Sequence, residues 1–132
     1  MKIVADANVL LRDALKDDPR QSPIAGKALQ TAELVTVPVT VLCEFVWVLR
    51  QSYGRSPAEV ADSIRSLIDS WNVVTNRPAV DAGLALLEAG GDFADGVIAH
   101  EGAWLGAEEF VSFDKKAVSL LKTQGKRARL LS

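Results

Sequence analysis

Apolar residues occur along this chain in two patterns. Short, mainly apolar runs are typical of strands in a parallel sheet, and they occupy residues 3–5, 34–37, 71–74 and 110–113, of which the first is apolar throughout, as expected of a strand buried on both faces. Residues 128–131 add a candidate edge strand. The longer stretches between these runs have helical periodicity. Strands and helices therefore alternate, which predicts an α/β fold with a central, mostly parallel sheet of four to five strands flanked by helices.

Helix starts are marked by capping residues. Ser22 followed by Pro23 predicts an N-cap and a first helical residue, and residues 56–59, Ser-Pro-Ala-Glu, form a capping box. Asp92 precedes a further helix as its N-cap, which places Asp95 in the first turn, where the helix dipole favours an anion. These signals divide the chain into the helices that the alternation requires.

One predicted helix, at residues 39–53, is apolar on almost every side, which is typical of a helix buried on most sides. Its only acid is Glu44. A buried carboxylate costs several kcal/mol unless it is paired or binds a metal. A salt bridge to Arg12 or Arg50, or a hydrogen bond from Thr40, is the structural explanation for Glu44, and a functional role is the alternative.

Length and composition limit the class of protein. The chain has 132 residues, 48% hydrophobic and 24% charged, which fits one domain over residues 1–132 with a sizeable core. We expect a cytoplasmic protein without membrane contact, because no apolar run is long enough to span a bilayer and no signal peptide is evident. The single cysteine, Cys43, excludes an internal disulfide and a multi-cysteine zinc site, and is expected to be a small buried hydrophobe.

Charge is unevenly distributed, although the net charge is only −2. No acid follows Asp114, whereas six basic residues do: Lys115, Lys116, Lys122, Lys126, Arg127 and Arg129. This basic tract is either a solvated helix face with a tail or a surface that attracts a polyanion. If the polyanion is RNA, Lys115 and Lys116 are the candidate phosphate contacts.

Acids stand where predicted strands end. Asp6 and Asp114 each follow a strand, and Asp95 lies in the first turn of a helix. Ligands bind at the carboxyl edge of parallel sheets, although Asp before a helix is also an ordinary N-cap. Together with Glu44 these would make four carboxylates, whose mutual repulsion a divalent cation relieves. Oxygen ligands select Mg²⁺ or Mn²⁺, which activate water for phosphodiester hydrolysis, with Asn8 and Ser112 orienting carboxylates or water.

Four segments carry a family resemblance. In chain order they are IVADANVLLR (residues 3–12), VTVLCEFVWVL (39–49), DFADGVIAH (92–100) and VSFDKKA (111–117). They resemble the four motifs of the PIN-domain ribonucleases, and are most similar to those of the VapC toxins of bacterial toxin–antitoxin pairs. Each motif is weak alone, but the match is collinear and covers essentially the whole chain.

The resemblance implies a PIN-like three-layer fold and a Mg²⁺- or Mn²⁺-dependent endoribonuclease. It also implies a homodimer whose partners are an RNA substrate and a cognate antitoxin that holds it inactive. By position, the implied metal-site and catalytic acids are Asp6, Glu44, Asp95 and Asp114, supported by Asn8 and Ser112, with Asp92 as an additional member. Ala7 departs from the pattern, because the family usually has Thr or Ser at this position.

Three alternative functions would place the chain in other classes of protein. A phosphoacceptor signalling domain needs an Asp after its third strand, where this chain has Val74, Thr75 and Asn76. A haloacid-dehalogenase-type phosphatase needs Asp-x-Asp after its first strand, where this chain has Asp6 and Asn8. A catalytically idle PIN-fold binding module is favoured by the missing hydroxyl at residue 7 and disfavoured by the intact acids.

Overall fold

The computed structural model describes all of residues 1–132 and contains seven helices and five strands. The chain forms two compact units, Met1–Asn76 and Arg77–Ser132, which we call the first and second units. The predicted α/β class and the parallel pairing of strands are confirmed. None of the helices combines the length and the apolar character that crossing a membrane would need.

The first unit contains a three-stranded parallel sheet and four helices. Its elements are β1 (Lys2–Val4), α1 (Ala7–Leu15), α2 (Gln21–Thr31), β2 (Leu34–Thr36), α3 (Val39–Gln51), α4 (Pro57–Ile68) and β3 (Val73–Val74). The strand order is β1-β2-β3, and Val35 of β2 lies opposite both Ile3 and Val73. The central strand is buried at Val35, whereas β1 and β3 are edge strands of this sheet.

The second unit contains a two-stranded parallel sheet and three helices. Its elements are α5 (Arg77–Glu88), α6 (Phe93–Trp104), β4 (Phe110–Ser112), α7 (Lys115–Thr123) and β5 (Ala128–Leu130). Phe110 lies opposite Ala128 in this sheet. A buried cluster joins α5, α7 and β5 through Leu86, Val118, Leu121 and Ala128. The structure thus shows parallel sheets of three and two strands, and does not show a central sheet of four to five.

The capping box at the start of α4 is confirmed. The Glu59 backbone N–H donates to Ser56 Oγ at 3.1 Å, and the Ser56 N–H donates to Glu59 Oε1 at 2.9 Å. The bonds from Ser56 hold the pKa of Glu59 below its ordinary value, because they favour the charged carboxylate. Local chemistry alone therefore determined this helix start.

The predicted start of α2 is wrong. The sequence indicated Ser22 as the N-cap, but the helix begins at Gln21 and Ser22 is buried. Asp18 explains the earlier start, because its Oδ1 accepts the N–H groups of Arg20 at 2.9 Å and Gln21 at 2.6 Å. These bonds hold the pKa of Asp18 below its ordinary value.

Two burial predictions are also wrong. β1 is not buried on both faces, because Val4 is 66% exposed on this edge strand. α3 is amphipathic rather than buried on most sides. Leu42, Phe45 and Leu49 lie on its buried face, whereas Glu44 and Trp47 lie on the opposite, exposed face. The apolar sequence of α3 concealed this division because Trp47, which is 62% exposed, occupies a position of the outer face.

Helices α5 and α6 approach each other closely at two glycines. A Cβ atom at Gly96 would lie 2.5 Å from the carbonyl oxygen of Ala82, and one at Gly83 would lie 2.6 Å from the ring of Phe93. Neither helix could come so near with a larger residue at these points. The close approach presses the first turn of α6, which contains Asp95, against α5.

Candidate active site

In the first unit, Asp6 is the N-cap of α1. The Val9 backbone N–H donates to Asp6 Oδ1 at 3.0 Å, and the side chain is exposed. The prediction that Asp6 is an ordinary helix N-cap is therefore confirmed. It does not exclude a second role, because this bond uses only one carboxylate oxygen and Oδ2 is available to another ligand. Asn8, in the first turn of α1, is exposed as well.

Ala7 lies between these two polar residues and is buried, with 4% of its surface exposed. The hydroxyl that the PIN family usually carries at this position would here enter a buried place. A buried hydroxyl needs a hydrogen-bond partner to offset its loss of hydration. The methyl group of Ala7 needs none, so the departure from the family pattern costs the fold nothing at this point.

Glu44 is exposed on α3, contrary to the prediction of a buried carboxylate. Neither predicted salt bridge is formed. Arg12 pairs with Asp17 at 3.0 Å, and Arg50 donates instead to the carbonyl oxygen of Arg55 at 2.9 Å. The argument that burial requires a partner for Glu44 therefore no longer holds, and its assignment depends on the resemblance alone.

In the second unit, the prediction for Asp92 is confirmed: it is the N-cap of α6, and its Oδ1 accepts the Ala94 N–H at 3.4 Å. Asp95 lies one turn into the same helix, as predicted, and is partly buried. The next residue, Gly96, lies against the backbone of Ala82 in α5. The sequence did not indicate this contact, because a glycine within a helical pattern does not reveal which helix it contacts.

Asp114 is the N-cap of α7, directly after β4. Its Oδ1 accepts the N–H groups of Lys116 at 3.0 Å and Ala117 at 3.1 Å, which leaves Oδ2 outside these bonds. Ser112 Oγ accepts the Asp114 N–H at 2.9 Å. Ser112 thus shapes the turn from β4 into α7 through the backbone of Asp114, and its role in orienting a carboxylate or water stays a prediction.

The acids of the second unit influence one another. The pKa of Asp95 is raised above its ordinary value, first by burial and then by the negative charges of Asp92 and Asp114. The structure thus relates three of the sequence-predicted site residues electrostatically. Ionising Asp95 costs free energy in this environment, and a bound cation would offset that cost.

The donor chemistry of these residues fits Mg²⁺ or Mn²⁺, which prefer oxygen ligands. Each capping acid, Asp6, Asp92 and Asp114, uses only Oδ1 for its recorded backbone bonds. Their placement does not form a metal site, because no group of three or more His, Cys, Asp or Glu side chains is placed so that it could hold a metal ion. Asp6 and Glu44 belong to the first unit, whereas the other candidate acids belong to the second.

Sequence reasoning missed a polar network in the first unit. Arg12 donates to Tyr53 Oη at 3.3 Å and pairs with Asp17 at 3.0 Å, and the Tyr53 hydroxyl donates to Asp17 at 3.2 Å. The network raises the pKa of Arg12, chiefly through its bond to Tyr53. It joins α1 to the chain just after α3. The distance of Tyr53 from Arg12 in sequence left no local signal by which it could be found.

Comparison with known proteins adds no identification, because no family model matches this chain and no curated protein matches it. The functional argument therefore depends on the four motif-like segments and on the chemistry of the acids just described.

Proposed function

We propose that this protein is a Mg²⁺- or Mn²⁺-dependent endoribonuclease of the PIN type, acting as the toxin of a bacterial toxin–antitoxin pair. The observation that carries the proposal is the placement of Asp92, Asp95 and Asp114, the acids of two of the motif-like segments, within one unit, where burial and the charges of Asp92 and Asp114 raise the pKa of Asp95. A carboxylate destabilised in this way is typical of a functional site. The proposal includes the PIN-like three-layer fold with one central sheet of four to five strands, toward which the chain supplies one parallel sheet of three strands and another of two.

In this proposal Asp6, Glu44, Asp95 and Asp114 are the residues that would hold the cation. When bound, it supplies a polarised water as nucleophile and neutralises charge developing on the phosphodiester. The protein's own groups hold the ligands in place. Asp114 keeps Oδ1 on the amides of α7 and presents Oδ2, while the hydroxyl of Ser112 fixes the turn before it.

The remaining residues of the proposed site have supporting roles. Asp92 contributes negative charge beside Asp95, and Asn8 offers an exposed amide at the start of α1. Lys115 and Lys116 directly follow Asp114 and are exposed, which suits contacts to RNA phosphates. A cognate antitoxin and a second copy of the chain complete the proposed set of partners.

The proposal is tested by cleavage of a structured RNA with added Mg²⁺ or Mn²⁺. We expect the wild-type protein to cut, and Asp6→Asn and Asp95→Asn to lose more than about 100-fold of that activity. Loss of a residue that binds the metal directly should cost at least as much activity as loss of a residue that only supports a metal ligand, which typically costs about 10–100-fold. Asp81→Asn is the matched control for Asp95→Asn, because Asp81 is an exposed acid on α5 outside the proposed site. Its activity should stay within about twofold of the wild type.

A catalytically idle PIN-fold binding module is the second candidate, favoured by the buried methyl group of Ala7 in place of a hydroxyl. The same assay separates the two. Equal residual cutting by the wild type, Asp6→Asn and Asp95→Asn would indicate a contaminating nuclease and would favour the binding module. Expression in bacteria gives an independent measure, since the nuclease proposal expects growth arrest by the wild type and none by Asp95→Asn.

A further inference from the structure

The second unit contains a cavity that the proposed nuclease function does not use. Its volume is about 420 Å³, within the usual range for small-ligand sites. Its walls come from the later part of α6, the segment after α6, the start of β4 and the two residues before β5. The lining residues that matter for the argument are His100, Glu108, Phe110, Lys126 and Arg127.

This cavity lies at the other end of β4 from Asp114. Phe110, which lines it, is the first residue of β4, whereas Asp114 follows the end of the strand. At about 3.3 Å per residue, the four residue steps from Phe110 to Asp114 separate the two places by at most about 13 Å. The cavity is therefore a separate place on the second unit, close enough for one RNA strand to extend to both.

The walls suit a planar, aromatic ligand. Ile98, Ala99 and Val111 supply apolar surface, and the ring of Phe110 is partly buried against the core of the unit. His100 adds a second flat ring and is partly buried. Proteins recognise unpaired RNA bases by enclosing them between such groups and reading their hydrogen-bonding edges.

The charges around the cavity are arranged for one nucleotide. Lys126 and Arg127 are exposed cations at its border, suited to a phosphate. Of the two acids in the lining, Glu109 is paired with Arg129 at 2.9 Å, which leaves the carboxylate of Glu108 as an acceptor. A carboxylate accepts two adjacent N–H groups, and among the four RNA bases guanine presents such a pair, N1–H and N2–H, on its Watson–Crick edge.

We propose that this cavity binds one unpaired guanine nucleotide of single-stranded RNA, with the base inside, its Watson–Crick edge on Glu108 and a phosphate on Lys126 and Arg127. The choice of RNA rather than a free guanine nucleotide rests on the proposed nuclease function. The recognition chemistry itself is the same for both sources.

His100 provides a specific probe, because it is the only histidine in the chain. We would follow its imidazole resonances by NMR in the full-length protein, with chelator present so that no RNA is cleaved. GMP and a short single-stranded RNA with one guanine should each shift them saturably. The RNA should bind more tightly than GMP, and replacing guanine by adenine should weaken binding by about tenfold or more.

Variants then test the assigned contacts. The double variant Lys126→Ala/Arg127→Ala should weaken RNA binding by about tenfold or more, while Lys122→Ala, in the same basic tract but outside the cavity lining, should stay within about twofold. Glu108→Gln should remove the preference for guanine over adenine. All four side chains are exposed, so circular dichroism should show unchanged folding.

His100 resonances unmoved by GMP and RNA would overturn the proposal, and so would equal losses in the Lys122 variant and the double variant. Tighter binding of GMP than of RNA would overturn RNA as the source, and equal binding of AMP would overturn the guanine assignment. The two proposals fail separately. RNA cleavage without shifts of the His100 resonances would support the nuclease proposal and contradict the guanine site. Saturable guanine binding without RNA cleavage would support the guanine site and contradict the nuclease proposal.

Discussion

The two units of this protein carry candidate acids of different character. In the first unit, Asp6 and Glu44 are both exposed, one at the start of α1 and the other on the outer face of α3. In the second unit, Asp95 is partly buried and its pKa is raised by burial and by the charges of Asp92 and Asp114. The same residue type therefore has different energetics in the two units, because packing rather than identity determines how well a charge is solvated.

Asp95 and Asp6 also differ in the helix contacts beside them. α6 meets α5 at glycines that admit no Cβ atom, and Asp95 is the neighbour of one of them, Gly96. The start of α1 has no corresponding glycine contact, and Asp6 remains exposed. A close helix–helix contact beside Asp95, with no counterpart beside Asp6, thus accompanies the difference in burial.

The largest expected effect is stabilisation by metal. Mn²⁺ at about 100 times its dissociation constant should raise the free energy of unfolding by about 2.7 kcal/mol relative to chelator, because binding to the folded state alone stabilises it. The thermal midpoint should rise accordingly in the wild type and in Asp81→Asn, and the rise should disappear in Asp95→Asn. An equal rise in Asp95→Asn would place the metal away from the acids of the second unit.

The second effect concerns the glycine contact. Gly96→Ala should lower the free energy of unfolding by about 1–3 kcal/mol, because its methyl group would lie against the backbone of α5. Gly102→Ala in the same helix is the matched control, since its Cβ atom meets nothing within 4 Å. It should stabilise the protein by up to about 1 kcal/mol through helix propensity. Urea unfolding measures both, and similar stability of the two variants would contradict the close approach.

The smallest effect separates the two units most directly. Without metal at neutral pH, Asp6→Asn should lower the free energy of unfolding by about 0.3–1 kcal/mol, since it removes a charge at a helix start. Asp95→Asn should raise it, by less than about 1 kcal/mol because solvent screens a partly buried group. Two variants of the same chemistry should therefore change stability in opposite directions.

Proton linkage explains why Asp95→Asn should raise the free energy of unfolding. Its pKa is raised in the folded state, so the folded protein holds the proton more strongly than the unfolded chain does. Its contribution to stability is greatest below the ordinary pKa of an aspartate and declines as pH rises through the raised pKa. The advantage of Asp95→Asn should consequently grow over that interval and be absent in stronger acid. An advantage that does not change with pH would contradict the charge-based explanation.

Local chemistry could be predicted from the sequence with some success. The capping box of Ser56 and Glu59 and the N-cap role of Asp92 are confirmed, because each depends on residues within one turn. The predicted start of α2 was wrong although it also depended on nearby residues. Arg20 is the N-cap without a side-chain bond, and Asp18, two residues earlier, accepts N–H groups at the helix start, which residue preference did not indicate.

Residue patterns were sufficient to predict the alternation of strands and helices, their parallel pairing and the places where acids follow strands or begin helices. These features depend on periodicity and on neighbours in the chain. The folded protein was needed to show that Glu44 is exposed, that Asp95 is partly buried and that Gly96 lies against Ala82. Burial and charge interaction depend on which surfaces meet across the fold, and no single segment of the chain contains that information.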